Sequence, residues 1–231
     1  YNTSRLDYES LLRDDAHLAR NLRQYILGFS DNVCEIFEAF NFDDTIRDLE
    51  KNNLLYLLMD RFNERSKVDL RPGGLSNHEM GLVFEHLLRK FNEAQNENPG
   101  EHFTPRDAVS LLVDAVLLYD VDLSNAEAVS RTINDCCCGT GGILSIAKEH
   151  ILDINPNAKV HLYGQELNPQ TWAVARSDLF ILEPDGKDAE NIKLGSTLSN
   201  DQLSNMTFDY QFVNPPYGME WSKDEKVVKE E

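Results

Sequence analysis

From Gly100 onward the sequence alternates short strand-patterned runs with helix-patterned ones, and this alternation limits the fold more than any other feature of the chain. Thr132 to Cys137 reads as a first strand and Gly142 to Leu152 as the helix after it. Lys159 to Gln165 reads as a second strand and Pro169 to Leu182 as a second helix. Ile192 to Leu194 is a short third strand, and Phe208 to Val213 a fourth. Parallel strands need connections that cross a sheet face, so the pattern predicts a doubly wound α/β sheet with right-handed crossovers. A helix repeating Val109, Leu112, Val113, Val116 and Leu117 precedes the first strand, with Pro105 in its first turn, where a missing N–H costs nothing. Such sheets carry further strands beyond the first one. The expectation is therefore a core truncated after its fourth strand.

The front of the chain has a different character. From about Tyr8 to Glu97 it reads as helical, with Leu18, Leu22, Tyr25 and Ile26, and then Leu54, Leu57, Leu58 and Phe62, at helical spacing. Arg71-Pro72-Gly73-Gly74 marks a break, Ser76 with Glu79 makes a capping box, and Phe84, Leu87, Leu88 and Phe91 share a face of the helix that follows. Asn96 to Gly100 ends this region. The expected domains are residues 1–99, helical, and 100–231, α/β.

Asn214-Pro215-Pro216-Tyr217-Gly218 follows the fourth strand directly. Two consecutive prolines remove two donors and fix two φ angles, so the segment must leave the sheet as a rigid loop. It offers an amide, a free proline carbonyl and an aromatic face, a set suited to gripping a planar group that bears an amino nitrogen. A simple structural turn is the other reading of the same residues.

The first strand ends at Asp135 and runs into Gly139-Thr140-Gly141-Gly142 at a helix start. Glycines here permit a tight turn and let a ligand lie against the main chain, although they also occur for packing. A dinucleotide fingerprint needs a third glycine where Leu144 stands, and there is no Gly-Lys-Ser/Thr phosphate loop. The second strand ends at Glu166, placed either to accept bonds from two ribose hydroxyls or to prepare the N-terminus of the helix near Pro169.

Taken in this order, the glycine turn, the strand-end Glu166 and Asn-Pro-Pro-Tyr resemble a class I S-adenosylmethionine-dependent methyltransferase. The last motif resembles the element with which amino-methyltransferases hold the nitrogen to be methylated. Gly100-Glu101-His102-Phe103-Thr104-Pro105-Arg106 is similar to the Phe-Thr-Pro-Arg element of the modification (M) subunits of type I restriction-modification systems. The helical front, with its closing helix ending at Phe91-Asn92-Glu93-Ala94, fits the same family. The resemblance implies an adenine-N6 DNA methyltransferase that uses S-adenosylmethionine as its cofactor. It implies that Glu101, His102, Phe103, Thr104, Pro105, Arg106, Asp135, Gly139, Thr140, Gly141, Gly142, Glu166 and Ser196 bind that cofactor. It implies that Asn214, Pro215, Pro216 and Tyr217 hold a flipped adenine, with no metal. The Thr104 hydroxyl and the amides of the following helix suit a methionine carboxylate, while His102 reads as a surface or packing residue. Two departures stand out: Cys136 follows Asp135 where the family has proline, and Ser196 stands near the place of an acid that meets the adenine ring.

The net charge of −18, from 40 acidic and 22 basic residues, is awkward for a chain that contacts phosphates alone. The resemblance supplies partners: duplex DNA reached through a specificity (S) subunit, a restriction (R) subunit and a second M subunit. No apolar run is long enough to span a bilayer. Cys34 and the run Cys136-Cys137-Cys138 match neither zinc spacing nor a disulfide framework, and read as small, buried, reduced thiols of a cytosol, which the resemblance implies is prokaryotic. Two rival functions remain. One is an amino-methyltransferase acting on an RNA guanine or a protein glutamine; the other is a non-catalytic assembly module.

Overall fold

The computed structural model describes residues 2–63, 83, 86, 104–125, 127–183, 185–218 and 220–230. The chain divides into two compact units, Tyr1–Phe84 and Glu85–Glu231. The break at Arg71, the capping box at Ser76 and Glu79, the Phe84, Leu87, Leu88 and Phe91 face, and the expected boundary at residues 99 and 100 all lie outside the described residues.

The first unit contains α1 (Tyr8–Arg13), a 3₁₀ turn (Asp15–His17), α2 (Leu18–Ile26), α3 (Asp31–Ala39), α4 (Phe42–Lys51) and α5 (Leu55–Asn63). Asp7 caps α1, its carboxylate accepting from the Ser10 N–H at 2.7 Å. Leu11, Leu18, Ala19, Ile46, Leu55 and Met59 form the core, with Leu22, Tyr25 and Ile26 packed against it. The segment read as helical from Leu54, Leu57, Leu58 and Phe62 is helical from Leu55 on, but these four are not its buried face. Leu57, Leu58 and Phe62 are exposed, as is Leu54 just before the helix, while Leu55 and Met59, one turn apart, face the cluster. Two apolar residues stand on every turn here, and spacing alone does not say which pair is buried.

The second unit contains α6 (Arg106–Leu117), α7 (Val121–Asn125), β1 (Ser130–Asp135), α8 (Gly142–Ile154), β2 (Lys159–Glu166), α9 (Pro169–Leu182), α10 (Lys187–Glu190), β3 (Ile192–Leu194), β4 (Tyr210–Gln211) and α11 (Glu225–Glu230). The sheet is parallel throughout, in the order β3-β2-β1-β4. Its centre is apolar: Ile133 and Leu162 are fully buried, as are Leu144, Ala147 and Ile151 on α8. Asn168 caps α9 by accepting from the N–H groups of Gln170 and Thr171, with Pro169 first in the helix. The Trp172 indole N–H reaches the Ile192 carbonyl at 2.9 Å, which fastens α9 to β3, and the Arg176 guanidinium of the same helix lies over the indole ring. Only Val109, Val113 and Leu117 of the α6 repeat are buried; Leu112 and Val116 remain exposed, so the stripe is narrower than expected.

Two strand ends differ from expectation. β1 stops at Asp135 because its side chain accepts the Cys137 N–H at 3.0 Å and turns the chain, so Cys136 and Cys137 are not strand. β4 pairs only at Tyr210 and Gln211, although Asp209 and Phe212 still donate to β1 carbonyls at either end. Asp209 and Thr132 hold one another reciprocally where β4 begins, through the Thr132 N–H and hydroxyl to the carboxylate and the Asp209 N–H back to the Thr132 hydroxyl. Among the described residues no helix is long and apolar enough to cross a membrane.

Candidate active site

All four strands point their carboxyl ends the same way, and in an open α/β sheet ligands bind there. At the end of β1 the chain turns through Gly139 and Gly141, with φ of 55° and 82°, a region that glycine enters without a Cβ penalty. The turn is stitched to β2. Cys138 N–H donates to the Gln165 carbonyl at 3.0 Å, and Gly139 N–H donates to Glu166 Oε2 at 3.0 Å. Glu166 Oε1 accepts from Asn168 N–H at 2.7 Å. The strand-end carboxylate thus lies against the glycine turn and also prepares the start of α9, and each oxygen retains a second lone pair for a ligand hydroxyl. A Cβ added at Gly139 or Gly142 would meet nothing within 4 Å, so open space faces the turn.

Asp135 is 1% exposed. Its Oδ1 takes the Cys137 N–H, and Oδ2 is buried with no partner among the described residues. Burial pushes this carboxyl up to about 7, against the pull of the Cys137 amide. Of the three adjacent cysteines only Cys138 is buried, and burial raises its thiol well above the usual range. Cys136 and Cys137 are half-buried and hydrogen-bonded to one another, which lowers the first and raises the second. All four cysteines are free thiols, but the expected uniform burial does not hold, because the turn at Asp135 carries two of them out of the sheet.

After β3 the chain enters a loop at Gly195, φ 145°, and Ser196 is half-buried there. Two residues that sequence reasoning passed over fix this loop. Gln165, 1% exposed, donates to the carbonyls of Gly195 and Asn200 and accepts from the Gln202 N–H. The Thr197 hydroxyl donates to the Cys136 carbonyl at 2.6 Å and so joins the loop to the end of β1. Neither carries a signal in the sequence, because β2 holds other polar residues, Lys159 and His161 among them.

Directly after β4 comes Phe212, 2% exposed, whose N–H makes the last bond to β1. Beyond it Asn214, Pro215, Pro216 and Tyr217 are exposed, Tyr217 at 84%. Asn214 Nδ2 donates to Thr104 Oγ1 at 2.8 Å, and Thr104 stands just before Pro105, the N-cap of α6, and Arg106, its first residue. The threonine-proline and asparagine-proline elements therefore touch. Thr140 sits in the glycine turn between Gly139 and Gly141. Glu101, His102 and Phe103 lie outside the described residues.

A separate cleft lies at the opposite, amino ends of β1 and β4. There Asp120 takes Arg131 through both carboxylate oxygens, at 2.6 and 2.8 Å, and also the Tyr210 hydroxyl. The Arg131 bonds hold the Asp120 carboxyl well below its usual range, so this cluster is satisfied internally and reads as structural.

Residues 75–231 match the family described as N-6 DNA methylase. The chain belongs to that family. This N-6 DNA methylase chain is 26% identical over 206 residues to the type I restriction enzyme MjaIX methylase subunit of Methanocaldococcus jannaschii, covering 83% of this chain and 33% of that protein. It is 26% identical over 218 residues to the HindI methylase subunit of Haemophilus influenzae, covering 93% and 43%. It thus spans less than half the length of these relatives. Among solved structures it superposes on a type I restriction-modification methyltransferase subunit from Streptococcus thermophilus with a TM-score of 0.65 at 22% identity, covering 96% of this chain and 46% of that one. A Listeria monocytogenes protein described as a class I S-adenosylmethionine-dependent methyltransferase gives 0.51 at 17% identity, covering 95% and 62%. The fold is that of a class I methyltransferase core with a helical region in front.

Proposed function

We propose that this N-6 DNA methylase chain is the adenine-N6 methyltransferase part of a type I restriction-modification system, acting in a prokaryotic cytoplasm. The observation that carries the reading is the strand order. β4 lies beside β1, so the Asn-Pro-Pro-Tyr loop and the glycine turn leave adjacent strands at the same end of the sheet.

The residues present suit S-adenosylmethionine. Open space faces Gly139 and Gly142, and the Glu166 carboxylate is fixed beside it with lone pairs to spare for two ribose hydroxyls. Gly139, Thr140, Gly141 and Gly142 would hold the cofactor from the turn, Asp135 and Ser196 from the strand ends, and Glu101, His102, Phe103, Pro105 and Arg106 at its methionine end. Bound there, it supplies an electrophilic methyl group on a sulfonium. The chain's own residues position the acceptor. Adenine N6 lies too deep in a duplex to react, so the base is flipped out and stacks on Tyr217. Asn214 Oδ1 accepts one N–H of the amine and the Pro215 carbonyl accepts the other, and together they aim the nitrogen lone pair. Positioning supplies most of the rate, with no covalent step on the protein.

The S and R subunits and a second M subunit are the proposed partners, and S supplies the DNA sequence. Methyl transfer from radiolabelled S-adenosylmethionine, with the full-length protein plus and minus its S subunit, tests the reading. Label on adenine N6 of duplex DNA is expected. Label only on RNA or protein would overturn it.

A further inference from the structure

The bond between Asn214 and Thr104 spans 110 residues of sequence, and its polarity carries a consequence. An asparagine amide presents donors on Nδ2 and an acceptor on Oδ1, and turning it over exchanges them with almost no change of shape. A loop that must accept an N–H from an amine needs Oδ1 forward; the reverse sets donor against donor. The loop itself does not choose, because Pro215 and Pro216 carry no N–H to hold the oxygen back. Among the described residues the amide's bond to Thr104 is its one hydrogen bond, and it engages Nδ2.

The Thr104 hydroxyl can donate as well as accept, and in this structure it accepts from Nδ2, which leaves Oδ1 forward. Thr104 directly precedes Pro105, whose φ is −55° and whose carbonyl accepts the Val109 N–H at 3.1 Å, the first bond of α6. α6 is in turn anchored by Val109, Val113 and Leu117, all buried. The hydroxyl is thus carried at the end of a helix seated in the core.

We propose that Thr104 is a positioning residue for methyl transfer: its hydroxyl holds Asn214 Nδ2 and so presents Asn214 Oδ1 to the acceptor amine. This rests on the amino-methyltransferase reading above. It gives Thr104 a task different from the grip on a methionine carboxylate expected from sequence, and kinetics separate the two. A hydroxyl that orients Asn214 acts on turnover; one that holds the carboxylate acts on cofactor affinity.

The full-length protein with its S subunit is compared with Thr104→Val and Thr104→Ser, each checked for an unchanged melting temperature. Thr104→Val is expected to lower kcat at saturating cofactor about tenfold, the size of one hydrogen bond, with the S-adenosylmethionine Kd unchanged. Thr104→Ser keeps the hydroxyl and is expected to restore the parent rate. In an Asn214→Asp background, where two equivalent oxygens leave nothing to orient, the Thr104→Val penalty shrinks. Independently of activity, the Asn214 side-chain amide protons of the 231-residue chain, observed by NMR, should show one hydrogen-bonded proton that Thr104→Val abolishes and Thr104→Ser retains. Weakened cofactor binding with full rate at saturation overturns the inference, as does the same NMR signature in parent and Val variant. A parent enzyme that methylates no amine fails the proposed function, and the NMR result still decides the contact.

Discussion

Glu166 binds two backbone N–H groups, from Gly139 and Asn168, and this double attachment sets what its loss should do. Glu166→Ala leaves the proposed ribose hydroxyls and the Gly139 N–H without an acceptor. S-adenosylmethionine binding is expected to weaken by roughly 1–3 kcal/mol, with a lower melting temperature even without cofactor. Calorimetry checks the first and thermal denaturation the second; unchanged affinity would remove the ribose assignment. Asp135 makes a different claim. Burial raises its carboxyl to about 7 from an ordinary 3.8, so between about pH 4 and 7 the folded chain retains a proton that the unfolded chain releases. Stability from this group is therefore greatest at low pH and falls as pH rises through that window. Asp135→Asn, which keeps the Oδ1 acceptor for Cys137, should flatten the fall by on the order of 1–3 kcal/mol. Melting curves from pH 5 to 8 measure it, and parallel slopes for parent and variant would mean that Asp135 stays ionised.

At the scale of elements, the core was largely legible. α9 and β3 begin and end where the pattern puts them, because Asn168-Pro169 and the short apolar Ile192 to Leu194 run are strong local signals. What was missed depends on contacts that no window of sequence contains. Cysteine resembles a strand residue, but the side chain of Asp135 turns the chain before Cys136. Phe208 and Val213 fit a strand, yet the ladder with β1 closes at Tyr210 and Gln211. On α5 the buried pair was Leu55 and Met59 and not their neighbours, a choice made by the helices packed on them. In the candidate site, the glycine turn, Glu166 and Asn214 could be picked out in sequence because each ends or closely follows a strand. Gln165 and Thr197 could not, since a polar side chain bridging loops has no period. Nor did the sequence show that Thr104 meets Asn214, a contact between distant segments.

For the whole molecule, the charge of −18 governs encounters with DNA. Net negative charge repels phosphates most strongly at low salt, where a basic surface would attract them. The chain alone should bind duplex DNA weakly and without sequence preference, and selective binding should appear only with the proposed S subunit present. Fluorescence anisotropy across a salt series decides this, and tight, sequence-selective binding by the isolated chain would point to a self-sufficient enzyme.

The central strand also sets a schedule for synthesis. β1 pairs on one side with β2, 29 residues later, but its partner on the other side begins only at Tyr210, with Ile133 opposite it, 77 residues along the chain. At translation speeds of about 5–20 residues per second, that flank stays open for about 4–15 s while the nascent chain lengthens. An unpaired edge in the middle of a sheet invites pairing with other chains. The clasp between Thr132 and Asp209 at the mouth of this gap is then the contact that ends the exposure, and slower elongation between these two residues should raise the fraction of chains lost to aggregation.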